Sequence, residues 1–210
     1  GGACRDRDRH AGGSVRRPEG GRHLLGRPRD ADGLASLCTL ARINLRAEPE
    51  KARAQVQQAH VALDRVAVSS IESFSSCARA AALLLEFDGK REQAITQMTE
   101  ALRFIDASPV ATLSDRMRAS NELARLHYNA RDLGRALDLN DRILELMRSA
   151  GLGNSAGYLV NAVNGATILQ TMGEVETAHA MQRDLLLRVR ALEPSSRPVG
   201  FALAYSTRVL

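Results

Sequence analysis

A pattern of small and apolar residues returns every 42 residues along this chain and is clearest in residues 117–150. Two stripes of apolar residues, spaced three and four positions apart, flank the polar connection Arg131-Asp132-Leu133-Gly134. The first stripe contains Leu123, Ala124, Leu126 and His127, and the second contains Ala136, Leu139, Ile143, Leu144 and Met147. This spacing predicts two amphipathic helices joined by a tight turn, each with one buried face.

Equivalent positions carry similar side chains in four copies of this unit. The alanine that closes the turn occurs at Ala52, Ala94, Ala136 and Ala178. A small or apolar residue seven positions later occurs at Ala59, Ala101, Ile143 and Leu185, and one late in the first helix at Leu40, Ala82, Ala124 and Ala166. A fixed period of this length is typical of solenoids, and no run of alternating Val, Ile and Thr indicates a strand. We therefore predict an all-α fold.

The turn segments FDGKREQA, NARDLGRA and TMGEVETA, with the small residue before them and the closing alanine, resemble the tetratricopeptide repeat (TPR). The resemblance implies a right-handed superhelical solenoid of helix–turn–helix units. The helix-A tryptophan of that family is missing, and the period exceeds its usual length of about 34 residues. The longer period is similar to the variant found in kinesin light chains and many bacterial signalling proteins. We place repeats at 33–66, 75–108, 117–150 and 159–192, with a truncated fifth from 201.

Residues 1–32 precede the first repeat and are rich in glycine and arginine. Residues 1–30 contain eight arginines and four acids, which is most of the net charge of +5. So few apolar residues predict a disordered basic arm or linker. A contact with nucleic acid is the alternative, but no aromatic residue is present there for base stacking, so we consider nucleic acid an unlikely partner. Because the chain begins without Met and ends within a fifth repeat, we expect it to be part of a longer protein.

Three cysteines, Cys4, Cys38 and Cys77, are too few and too scattered to indicate a disulfide framework or a zinc site. We interpret Cys38 and Cys77 as small core residues, which agrees with a reducing cytoplasm. The longest apolar run, Ala80–Leu85, is far shorter than the roughly 20 residues that span a bilayer. No signal peptide pattern follows the basic start. The sequence therefore predicts a cytoplasmic location and no membrane span.

In the TPR family the first helix of each repeat, helix A, lines a concave groove that receives an extended peptide or a partner helix. The groove positions that we expect to contact a partner are Arg79, Glu86, Arg118, Asn121, Arg125, Tyr128, Asn129 and Gln170. Asn121, Arg125 and Asn129 are four residues apart and share one helix face. Two guanidinium groups with carboxamides suit a carboxylate or acidic peptide, because Arg can hold a carboxylate with two hydrogen bonds. A solvated helix face is the alternative interpretation.

Sequence motifs of catalysis are missing from the chain. There is no phosphate-binding loop, His-Glu-x-x-His zinc motif, kinase catalytic loop or serine-nucleophile elbow. We therefore predict a non-enzymatic scaffold without cofactor or metal that binds a protein or peptide. The alternative is an interaction or sensor segment of a larger bacterial signalling protein, either a Ser/Thr protein kinase or a transcriptional regulator, whose catalytic domain lies outside this chain.

Overall fold

The computed structural model describes residues 31–63 and 70–190, and these ranges contain eight α-helices and no strand. The helices are α1 (Ala31–Asn44), α2 (Pro49–Leu63), α3 (Ile71–Phe87), α4 (Arg91–Ala107), α5 (Leu113–Asn129), α6 (Leu133–Ser149), α7 (Ala156–Met172) and α8 (Val175–Arg190). No helix in the described ranges is long and apolar enough to cross a membrane. The predicted basic arm, up to residue 30, and the truncated fifth repeat lie outside the described residues.

The helices alternate between A helices (α1, α3, α5 and α7) and B helices (α2, α4, α6 and α8). Most helices pack on their neighbours in sequence, and A helices of adjacent repeats also contact each other: α1 packs on α3 as extensively as on α2, and α3 contacts α5. A unit that contacts only adjacent units is the defining property of a solenoid. The all-α solenoid predicted from the repeat is confirmed.

Small side chains occupy the positions where the helices approach most closely. Ala94, Ala136 and Ala178, which close the turns, are completely buried, and Ala52 is 1% exposed. The predicted positions seven residues later are buried as well, at Ala59, Ala101, Ile143 and Leu185. A larger residue at the alanine positions would push neighbouring helices apart, because a packed interior does not absorb added volume.

Three of the A helices begin at a residue whose side chain caps the helix. The side-chain oxygens of Ser70, Thr112 and Ser155 each accept a hydrogen bond of 3.2 Å from the backbone N–H three residues later. Asp115 also accepts from the backbone N–H of Thr112, which completes a capping box. These caps start α3, α5 and α7 three or four residues before the repeat boundaries that the apolar pattern predicted.

The A-to-B turns of the second, third and fourth repeats each contain one residue in the left-handed backbone conformation. Gly89 has φ 76°, Arg131 φ 64° and Gly173 φ 90°. Glycine adopts this conformation freely, whereas a residue with a Cβ is strained in it. Gly134, which we had placed in the third turn, lies inside α6 instead, so Arg131 takes the left-handed position.

The first repeat departs from the predicted register. Leu40, aligned by period with Ala82, is 44% exposed, whereas the next residue, Ala41, is 2% exposed. Leu34 and Leu37 are buried together with Ala41 in one cluster. α1 is therefore rotated by about one residue relative to the other A helices, because it turns its apolar face onto α3.

Cys38 and Cys77 are joined by a disulfide bond between α1 and α3. Both are buried, as predicted for core residues, but the prediction of unpaired cysteines is wrong. Sequence reasoning treated each cysteine alone, whereas the packing of α1 on α3 brings their Cα atoms to 5.0 Å. Disulfides are typical of oxidising compartments, so the predicted cytoplasmic location loses the support of a reducing environment.

Replacing Arg131 with glycine should stabilise the third repeat. The change removes the strain of a side chain at positive φ, and we expect the free energy of unfolding to rise by about 0.5–1 kcal/mol. Arg135→Gly, at an exposed site inside α6, should lower it by about 1 kcal/mol. Chemical denaturation of both variants measures the two effects. Equal destabilisation by the two changes would contradict the left-handed conformation at Arg131.

Reducing the disulfide should destabilise the first two repeats. The bond closes a loop with a sequence separation of 39 residues, and loss of that constraint on the unfolded chain costs about 3–4 kcal/mol. Thermal melting with and without a reductant measures the loss. A Cys4→Ser variant should respond like the wild type, and a Cys38→Ser/Cys77→Ser variant should not respond at all. Three titratable thiols in the unreduced chain would contradict the bond.

Candidate functional site

A cavity of about 470 Å³ opens between the A helices α3, α5 and α7, and we call it the A-helix cavity. Five of the eight predicted groove residues border it, namely Arg79, Arg118, Asn121, Arg125 and Tyr128. Glu86, Asn129 and Gln170 do not border it. The third repeat, which the sequence singled out, therefore contributes most of the predicted residues that the structure brings together.

Some of the charged residues predicted for the groove form ion pairs within the protein, between α3 and α5. Arg125 lies 2.7 Å from the carboxylate of Glu86, and Asn129 donates a 2.8 Å hydrogen bond to the same carboxylate. Arg118 faces Glu72 at 3.6 Å, and both of these side chains are more than half exposed. Glu86 and Asn129 thus hold neighbouring repeats together rather than standing free in the cavity.

Glu122 is a residue of the candidate site that sequence reasoning missed. Its side chain is 7% exposed, and its Oε1 accepts hydrogen bonds of 3.0 and 2.6 Å from Arg125. Burial alone would lower the pKa of Arg125, but the charges of Glu122 and Glu86 outweigh burial and raise it above its ordinary value. Glu122 lies three residues before Arg125 on one helix face, a spacing that predicts such a pair. Arg125 is therefore neutralised by two carboxylates.

The positive charge of Arg79 is less well compensated by carboxylates than that of Arg125. Its Nε lies 3.7 Å from Oε2 of Glu122, beyond hydrogen-bonding distance, and is buried without a hydrogen-bond partner among the described residues. Burial and the neighbouring charge of Arg42 lower the pKa of Arg79 below its ordinary value, and Glu122 offsets this only in part. Arg79 thus supplies a buried positive charge and an unused donor to the wall of the cavity.

Asn140 reaches the same cavity from the B helix α6. It is 2% exposed, and its Nδ2 has no hydrogen-bond partner in the described part of the chain. Gly165 of α7 makes room for it, because a Cβ at that glycine would lie 2.6 Å from Nδ2. Sequence reasoning assigned the groove to A helices alone and so missed Asn140. The isolated glycine within a helical pattern was the available signal.

The remaining predicted residues lie near the edge of the site. The hydroxyl groups of Tyr128 and Thr171 are 3.1 Å apart and connect α5 with α7. Gln170 lies in the last turn of α7, where its backbone carbonyl accepts from the N–H of Gly173. No group of His, Cys, Asp and Glu within residues 31–63 and 70–190 could hold a metal ion.

A second cavity of about 460 Å³ involves the B helices α2 and α4. Phe74 and Phe104, whose ring centroids are 4.6 Å apart, and the bonded Cys38 and Cys77 contribute to its wall. Most of its lining residues are apolar, whereas three arginines, one glutamate and four asparagines line the A-helix cavity.

Solved structures with a similar fold are TPR-like repeat proteins. The nearly identical TPR-like repeats of a Podosopora anserina kinesin light chain are 16% identical, with a TM-score of 0.67 over 86% of this chain and 88% of that chain. BtubC (BKLC) from P. vanneervenii is 15% identical, with a TM-score of 0.69 over 85% of this chain and 73% of that chain. At this identity the likeness establishes the fold: a TPR-like solenoid.

No protein-family model matches the sequence, and no curated protein matches it.

Replacing Glu122 with Gln should destabilise the protein, because Arg79 then loses its nearest carboxylate and Arg125 loses one of two. We expect the free energy of unfolding to fall by about 1–3 kcal/mol, the usual cost of an unmet buried polar group. Glu145→Gln is the matched control, since Glu145 and Arg148 form an exposed pair whose loss changes stability by less than about 0.5 kcal/mol. Equal losses of stability in the two variants would contradict the central position of Glu122 between Arg79 and Arg125.

Proposed function

We propose that this chain is a non-enzymatic scaffold that binds a segment of a partner protein along its A helices. The observation that carries the proposal is the A-helix cavity, which spans three successive A helices and is lined mostly by polar and charged residues. Its size lies within the range of about 300–1,000 Å³ found for ligand sites. The cavity extends across repeats, so an elongated ligand such as a peptide suits it better than a compact one.

The wall of the cavity is suited to hydrogen bonding with a peptide. Asn121 of α5 and both Asn164 and Thr167 of α7 border it, and the last two are exposed. Carboxamide and hydroxyl groups can donate to backbone carbonyls and accept from backbone N–H groups. Because helices hold these side chains in place before binding, most of the ordering entropy would fall on the partner segment.

Peptides selected from a displayed library against the full chain test the proposal. Asn164→Trp fills the cavity from an exposed position and should weaken the selected peptides at least about tenfold, as loss of a central interface contact does. Asp138→Trp places the same side chain at an exposed site on the B helix α6 and should leave binding unchanged. Weakening by Asp138→Trp alone would place the binding surface on the B helices and overturn the proposal.

A further inference from the structure

We infer that the A-helix cavity receives an acidic side chain from within the bound segment, with its carboxylate held by Arg79 and with Asn140 donating to an oxygen of the same segment. This inference rests on the proposed function, which it deepens by naming what enters the cavity. It also moves the anion-binding role from Arg125, where sequence reasoning placed it, to Arg79.

Charge is the first argument for an acidic group. Arg79, Arg118 and Arg125 border the cavity together with one carboxylate, Glu122. Glu122 directs both of its short hydrogen bonds to Arg125, which also has Glu86, and it approaches Arg79 only to 3.7 Å. Burial and the charges of Arg42 and Arg118 lower the pKa of Arg79 below its ordinary value, and Glu122 offsets this only in part. An entering carboxylate would remove that deficit, since opposite charges stabilise each other most strongly where water is excluded.

Unused donors are the second argument. Nε of Arg79 and Nδ2 of Asn140 are both buried without a hydrogen-bond partner in the described part of the chain. A buried donor that stays unpaired is costly, and native proteins seldom keep two beside one cavity. Both donors border the A-helix cavity, so a single ligand that carries acceptor oxygens can satisfy them. Carboxylate and carbonyl oxygens are the acceptors that a peptide offers.

Space is the third argument. α7 packs closely on Asn140 because it has glycine at position 165, where any Cβ would lie 2.6 Å from Nδ2 of Asn140. The small Ala124 of α5 borders the cavity beside it. The glycine thus lets the side chain of a B-helix residue form part of the cavity wall between the A helices. A side chain that enters from the partner can reach this depth, whereas a peptide backbone lying across the helices would remain above it.

Titration of the full ¹⁵N-labelled chain with three blocked pentapeptides tests the inference. The peptides are acetyl-Ala-Ala-Glu-Ala-Ala-amide and its Gln and Lys counterparts, so only the central side chain differs and no terminus is charged. The Glu peptide should bind about tenfold more tightly than the Gln peptide, because a charge-assisted hydrogen bond replaces a neutral one. Its shifts should include the amides of residues 79, 140 and 165. The Lys peptide should not bind in the cavity.

Variants separate the two proposed contacts. Arg79→Gln should abolish the preference for Glu over Gln, whereas Arg142→Gln, at a paired arginine of α6 outside the cavity, should preserve it. Asn140→Leu should weaken the Glu and Gln peptides by a similar factor, because each carries carbonyl oxygens. If that variant does not fold, Gly165→Ala displaces the Asn140 side chain and should have the same effect.

Three distinguishable outcomes would contradict the inference. Equal affinities of the three peptides, with shifts along α3, α5 and α7, would refute the acidic preference and leave the scaffold proposal intact. No shift along these helices with any of the peptides, together with library peptides that bind elsewhere, would overturn both. A preference for Glu that survives Arg79→Gln would assign the carboxylate to another arginine and refute the role of Arg79.

Discussion

Close approach of helices through small side chains determines the rest of this structure. Ala94, Ala136 and Ala178 are completely buried where each B helix meets its A helix, so the backbones pack with little intervening volume. Close packing through a small residue also occurs at the candidate site, where Gly165 lets α7 approach Asn140 of α6. The A-helix cavity is therefore a product of the repeat packing, and its depth depends on residues that a repeat alignment marks only as small.

The arginines around the cavity divide into those that join repeats and one that remains available. Arg125 binds two carboxylates, one from its own helix and one from α3, and so contributes to the interface between repeats. Arg79 faces the second oxygen of Glu122 only at 3.7 Å. The distinction rests on hydrogen-bond geometry, because the three arginines at the cavity have the same formal charge. This difference in hydrogen bonding explains how the wall of the A-helix cavity can be stable without a ligand and still favour a bound anion.

The sequence predicted the fold well because the repeat fixes it several times over. Each copy independently places an alanine at the closing position, and errors in one copy are corrected by the others. In the first repeat, the period misplaced Leu40 and gave no sign of the bond between Cys38 and Cys77. Disulfide pairing depends on how α1 lies on α3, which no single-helix pattern encodes.

The candidate site was predicted less completely than the fold. Helical spacing was enough to bring Arg118, Asn121 and Arg125 to one face, since these residues lie on one helix. Glu122 could have been inferred from its distance of three residues to Arg125. For Asn140 the isolated Gly165 was only an indirect signal, because the position of Asn140 at the cavity also depends on how α6 packs on α7.

A crystal structure of the full chain with a library-selected peptide is the most direct test of the central claim that partners bind along the A helices. We expect the peptide to lie across α3, α5 and α7, with an acidic side chain in the A-helix cavity near Arg79 and Asn140. A peptide bound to the B helices, for example in the apolar cavity involving α2 and α4, would contradict the claim.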